Sequence, residues 1–402
     1  MKSAHYTIES FSVANFRSID SMQTIKFNEV TALYGANASG KSNIWKALNI
    51  MMFLIRQSTR ADQSELPFYP YLLRKGRENR PTVMELIFSD DDNSQIYEYS
   101  FSYDKDEIID ERLLNITKSI DNPVTLLDRN RGCKWRNHAK SGFSRDIFEQ
   151  TRRDSLIITQ ARIFNNKYSA IIFSAINKIT TIDASNSGIL RDTSLKLMQS
   201  NGELKKRALE VLREADFSIR DFSFVPRTYE MANESKRILS ADALKNLETI
   251  DWADITTIHS VRDDNGDMIG EVAFDIDNDE SRGTNSFFNI IMPIIDALDN
   301  GKLIYIDEFG SGIHSEVSIY IIKLFRNNKN GAKLIINTHD SSLMQSGNGG
   351  VLSRDDLISV DKDMFEATRL TLFANKAYIR EAANIEKGYR HGLYGGRPLI
   401  AR

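Results

Sequence analysis

The sharpest chemical signal lies in the run Gly35, Ala36, Asn37, Ala38, Ser39, Gly40, Lys41, Ser42 and Asn43. A glycine, four residues, then Gly40-Lys41-Ser42 is the spacing of a phosphate-binding loop. Small residues let successive backbone N–H groups curl around an anion, and a helix start adds partial positive charge. Lys41 would reach the outer phosphates, and the Ser42 hydroxyl would join the shell of a Mg²⁺ ion. The competing reading is a glycine-rich turn that happens to match. It has to account for the strand-like "VTALY" before the loop and the helical pattern "NIWKALNIMMFLI" after it.

A phosphate loop calls for an acidic partner at the end of an apolar strand. "LIYIDE", residues 303–308, supplies one. Asp307 is placed near the Mg²⁺ shell, and Glu308 to polarise an attacking water. Alone, such a pair is also a common turn signal. A second apolar strand, "LIINTHD" over 334–340, delivers His339 toward the same sheet edge. There an imidazole would contact the terminal phosphate or the water; an isolated histidine would read simply as a surface strand end. The fourth segment is "DESRGTNS", 279–286, with Ser281 and Gly283 at a helix start whose free N–H groups can receive an anion. By itself it is no more than an N-cap.

These segments need a sheet to gather them. Residues 1–110 alternate in a strand-like way around the loop and its helix, and "TVMELIFSD" and "IYEYSFSYD" read as a hairpin or meander across an acidic turn at 90–93. Residues 111–250 carry long polar helical patterns and read as a mostly helical insertion. Strand patterns return over 251–402, where apolar strands alternate with helices as in a parallel sheet covered on both faces. The expected class is α/β, a P-loop NTPase.

The 402 residues, 41% hydrophobic and 27% charged, describe a globular chain with ample core. A net charge of −3 gives no global reason for nucleic-acid binding, so any such surface is a local patch. The single cysteine, Cys133, excludes an internal disulfide framework and a cysteine-rich zinc site. The N-terminus lacks the pattern of a signal peptide, and the apolar run 284–298 is too short to span a bilayer. No membrane role and a cytoplasmic location are expected.

The order of motifs resembles the ABC-type ATPases of the RecF, SMC and OLD group: "VANFRSID", "GANASGKSNIWKAL", "IYIDEFGSGIHSEV" and "LIINTHDSSLM". The tail, "RDDLISVDKD" followed by "ANIEKGYRHGLYGGRPLI", looks like the end of the RloA-like AAA ATPases of abortive-infection systems. The resemblance covers about 1–110 and 251–402. It implies an ATPase head, with ATP and Mg²⁺ as cofactors, that closes on a second copy. Lys41, Ser42, Asp307, Glu308 and His339 of one copy would face Ser281 and Gly283 of the other, although "ESRGT" departs from the family's serine-glycine-glycine signature. Arg17 would touch the nucleotide or base, or lie on the surface. For the Q-loop glutamine, Gln57 and Gln63 are candidates. Relatives of the OLD type carry a Toprim nuclease domain after the head; none is expected between His339 and Arg402, so nuclease activity is expected of a separately encoded effector. The implied role is the ATPase sensor of an anti-phage system. The alternatives are a RecF-like DNA-repair ATPase and a nucleotide-gated scaffold that sequesters a toxin. The insertion and the basic tail at Lys387, Arg390 and Arg397 are candidate surfaces for a partner or nucleic acid, unless the tail packs back on the sheet.

Overall fold

The computed structural model describes residues 6–59, 65–90, 94–117, 120–130, 135–136, 138, 141–185, 187–215, 217–230, 249–344, 351–376 and 385–395. Strands β1 (Tyr6–Ala14) and β2 (Gln23–Lys26) pair antiparallel across the turn that holds Arg17. β3 (Val30–Gly35) is buried at every residue, as an apolar strand covered on both faces must be. α1 (Lys41–Gln57) follows the loop and buries Ile44, Leu48, Met51 and Ile55 at helical spacing. β4 (Thr82–Asp90), β5 (Ile96–Tyr103), β6 (Ile108–Asn115) and β7 (Val124–Asn130) complete an antiparallel sheet ordered β2-β1-β4-β5-β6-β7. Asp90 ends β4, and residues 91–93 of the acidic turn lie outside the described residues.

The stretch read as a helical insertion supplies α2 (Arg145–Gln150), α3 (Ile157–Ile163), α4 (Lys167–Ile176), α5 (Ser187–Ser200) and α6 (Glu203–Glu214), and it supplies strands as well. β6 and β7 carry the antiparallel sheet past residue 110, and β8 (Ile179–Asp183) joins the sheet that holds β3. β9 (Asp221–Glu230) pairs with β10 (Thr249–Arg262), so boundaries at 110 and 250 both run through paired strands. A five-residue run such as "ITTID" is too brief for its periodicity to stand out among polar helices. Residues 231–248 lie outside the described residues. β11 (Met268–Asp275) completes the small sheet β11-β10-β9.

The remaining elements are α7 (Arg282–Asn300), β12 (Leu303–Asp307), α8 (Ser315–Arg326), β13 (Lys333–Asn337), β14 (Leu357–Lys362), β15 (Thr368–Leu372) and α9 (Ile385–Arg390). The second large sheet runs β15-β14-β3-β13-β12-β8, parallel throughout except for β15. Its strands point alternate residues to opposite faces. Leu33, Tyr305 and Ile335 join a core with α1 and the antiparallel sheet. Ala32, Tyr34, Ile304, Ile306 and Ile336 join a second core with α7 and α8. α1 is therefore held between two sheets. Among the described residues no helix is long and apolar enough to cross a membrane.

Candidate functional site

β3, β13 and β12 are neighbours, run parallel, and end together at Gly35, Asn337 and Asp307. Loops leaving the carboxyl ends of parallel strands share one crevice. Here it measures about 380 Å³ and is lined by residues 37–43 with Asp307, Glu308, Asn337 and His339.

The loop owes its curl to left-handed backbone at Ala38 (φ 62°) and Gly40 (φ 111°). Such alternation turns N–H groups toward a common concavity. α1 starts from it with neither a side-chain cap nor an acidic residue in its first turn, which leaves those N–H groups to an anion. Ser39 Oγ, buried in the same loop, has no hydrogen-bond partner among the described residues. Such a group is expected to have a partner, and a bound phosphate would supply one. The residues present fit a nucleotide.

Behind the loop runs a relay that the sequence did not mark. Thr368 Oγ1 donates to the Ser39 carbonyl at 2.8 Å and lies 2.7 Å from Ser18 Oγ, which accepts from Asn43 Nδ2 at 2.7 Å. A Cβ on Gly40 would come within 2.1 Å of Thr368 Oγ1 and 2.8 Å of Ser18 Oγ. Gly40→Ala should therefore lower the melting temperature by several degrees, since left-handed backbone costs a non-glycine residue about 1–2 kcal/mol before the clash is counted. Thermal denaturation checks this, and a wild-type melting curve would refute the packing.

Lys41 is 8% exposed, and its Nζ donates to the carbonyls of Gly35 (2.7 Å) and Ala36 (3.2 Å). Burial lowers its pKa to about 8, with Asp307 and Glu308 pulling it back up. A phosphate favours the charged ammonium, so binding would be full below that pKa and would weaken as the pH rises through it. Nucleotide affinity should fall toward tenfold per pH unit above about 8. Lys41→Arg, which stays charged, should flatten the profile. A flat wild-type titration between pH 7 and 9.5 would overturn the assignment.

Asp307 is buried. Its Oδ1 accepts from Ser42 Oγ at 3.2 Å and from Asn337 Nδ2 at 2.7 Å. Two hard oxygens so close suit Mg²⁺, which takes few protein ligands and fills its shell with phosphate oxygens and water. Among the described residues no three histidine, cysteine or acidic side chains gather to hold a metal unaided. Asn337, oriented by Tyr305 Oη at 3.0 Å, is a site residue that sequence reasoning missed. Its only signal was its place two residues before His339.

Glu308 has φ 61°, backbone that a glutamate adopts at a cost of about 1–3 kcal/mol. It is exposed, and with His339 it lines both the main crevice and an adjoining space of about 170 Å³. Burial lowers the His339 pKa and Lys41 lowers it further, against Glu308 and Asp307. That direction favours the neutral ring, which offers one donor and one acceptor.

Other expected residues lie elsewhere. The Arg17 side chain sits over the Tyr69 ring at 4.8 Å and the Phe16 ring at 5.8 Å and does not line the crevice, although Ser18 beside it braces the loop. Ser281 caps α7, accepting the Thr284 N–H at 3.1 Å, and Gly283 lies against the Gly312 carbonyl; neither lines the crevice of its own chain. Gln57 closes α1 at the end far from Lys41, about 25 Å along a helix of this length, and cannot reach the crevice. Gln63 lies outside the described residues. In the tail, Tyr389 packs edge-on against Tyr34, and Arg390 pairs with Glu386 at 2.6 Å and donates to Ser341 at 3.2 Å. This part packs back on the body; Arg397 lies outside the described residues.

The family model described as "AAA domain, putative AbiEii toxin, Type IV TA system" matches residues 30–345. Among solved structures, the SmcHead bound to the C-winged helix domain of ScpA is similar at 11% identity, over 92% of this chain and 99% of that one, with a TM-score of 0.49. The SMC head domain from Thermotoga maritima shows 13% identity over 91% and 98%, with a TM-score of 0.42. A Smc head domain with an extended coiled coil, bound to the C-terminal domain of ScpA derived from Pyrococcus furiosus, shows 11% identity over 96% and 98%, also at 0.42. No curated protein matches the chain.

Proposed function

The chain belongs to the AAA-domain family matched over residues 30–345, and from that premise we propose that it binds and hydrolyses ATP at a site closed by a second copy. One observation carries the reading: the loop, Asp307, Glu308 and His339, far apart in sequence, line one crevice. Lys41 would bind the outer phosphates. Ser42 and Asp307 would hold Mg²⁺, which when bound neutralises charge on the phosphate oxygens. Glu308 would orient and deprotonate the attacking water, and neutral His339 would hydrogen-bond the terminal phosphate. Ser281, exposed at a helix start, and the half-buried Gly283 beside it, both outside their own crevice, would contact that phosphate in the other copy.

We place this ATPase in anti-phage defence, as the regulatory component that acts through a separately encoded effector or nuclease. The tail motifs support that setting, and so does a family description that names a toxin of a type IV TA system. Phosphate release by the purified protein, with and without DNA, and co-purification with the product of the adjacent gene test it. Mg²⁺-dependent turnover and a stable effector complex are expected. DNA-stimulated turnover without a partner would favour a RecF-like repair role, and undetectable turnover with Glu308 intact a nucleotide-gated scaffold.

A further inference from the structure

The turn that carries Ser281 is closed by a side chain from another helix. Arg191 of α5 is 2% exposed, and arginines are almost never so buried unless paired. Its two terminal nitrogens meet the two carboxylate oxygens of Asp277 at 2.6 and 2.5 Å, and one of them also donates to Asn285 Oδ1 at 3.0 Å. Asn285 Nδ2 donates to Asp277 Oδ1 at 2.8 Å, and its backbone N–H bonds the Ser281 carbonyl at 3.0 Å. The three side chains form a closed triangle. Asp277 precedes Ser281 and Asn285 follows it, each by four residues, so the triangle pins both ends of a turn whose apex is exposed. From the other side, Thr257 and His259 of β10 hold Glu280, each at 2.6 Å.

A helix start needs only its N-cap, and Ser281 already provides that. Burying a guanidinium beside an exposed turn adds a desolvation cost that simple capping does not require. What the triangle adds is a fixed position for the apex.

We infer that Arg191 positions the Ser281–Gly283 turn to complete the ATP site of a second copy, an inference that rests on the two-copy reading above. Arg191 does not line the crevice of its own chain. It acts through Asp277 and Asn285, whose planar contacts need its fork of donors.

The test is complementation between two inactive variants. Arg191→Gln should keep its own phosphate loop, bind ATP like the wild type, and lose about 100-fold in turnover, the cost of misplacing a contact by roughly 1 Å. Lys41→Ala should be inactive with its turn intact. In a mixed pair, the loop of the first variant meets the turn of the second, and one site is whole. With half of the pairs mixed and one site in each, turnover should return to about a quarter of the wild-type rate. A parallel mixture of Ser281→Arg with Lys41→Ala serves as the control. If the control regains turnover and the Arg191→Gln mixture does not, or if Arg191→Gln alone is fully active, Arg191 has no positioning role. If neither mixture regains turnover, the two-copy reading fails and takes this inference with it. Should Arg191→Gln not fold, Asp277→Asn replaces it in the same assay, because that side chain is 46% exposed.

Discussion

Glu308→Gln should bind Mg·ATP, lose about two to four orders of magnitude in turnover, and accumulate as an ATP-dependent dimer. Glutamine keeps the shape and polarity of the side chain, so the left-handed backbone at φ 61° and the lining of the crevice should survive. Only the capacity to take a proton from water goes. If hydrolysis is what separates the two copies, arresting it leaves the bridging phosphate in place. Single-turnover phosphate release measures the first effect and light scattering with and without ATP the second. Wild-type turnover in this variant would mean that Glu308 does not position the water. Slow turnover without a change in mass would leave Glu308 in place and remove the second copy.

Lys41→Ala should abolish measurable nucleotide binding. The ammonium lies within the loop, 2.7 Å from the Gly35 carbonyl, where a phosphate oxygen would compete for its protons. Removing one partner of a buried charge contact costs about 2–5 kcal/mol, or roughly 30- to 5,000-fold in Kd. The fold should tolerate the change, because among the described residues the Nζ hydrogen bonds run to carbonyls of its own loop. Calorimetric titration with Mg·ATP, paired with a melting curve, reads both. Unchanged affinity would remove the loop from the site.

The parts of this site that were legible from sequence share one property: each is signalled by neighbours along the chain. The loop spacing, the apolar run ending at Asp307, and the strand leading to His339 are local patterns, and the structure places them around one crevice. What was not legible depends on partners distant in sequence. Thr368 and Ser18 are separated by 350 residues and look like any hydroxyl residue in a strand or turn until Gly40 is packed against them. Asn337 acquires its role only once β12 lies beside β13. β8 was hidden for a different reason. Only Ile179 and Ile182 are buried, the two threonines between them and Asp183 being half-buried at the sheet edge, so it lacks the continuous apolar run of the central strands.

β3 has its two sheet neighbours in β13 and β14, which begin only at Lys333 and Leu357. A ribosome adding about 5–20 residues per second would expose "VTALYG" for some tens of seconds before either partner emerged. Throughout that interval the nascent strand offers unpaired amides and greasy side chains to whatever else is nearby. The helix behind it and the antiparallel sheet emerge first and can shield one of its faces. The chain should accordingly be slow to mature and sensitive to chaperone supply, and its phosphate loop should stay incompetent until β13 and β14 have been made.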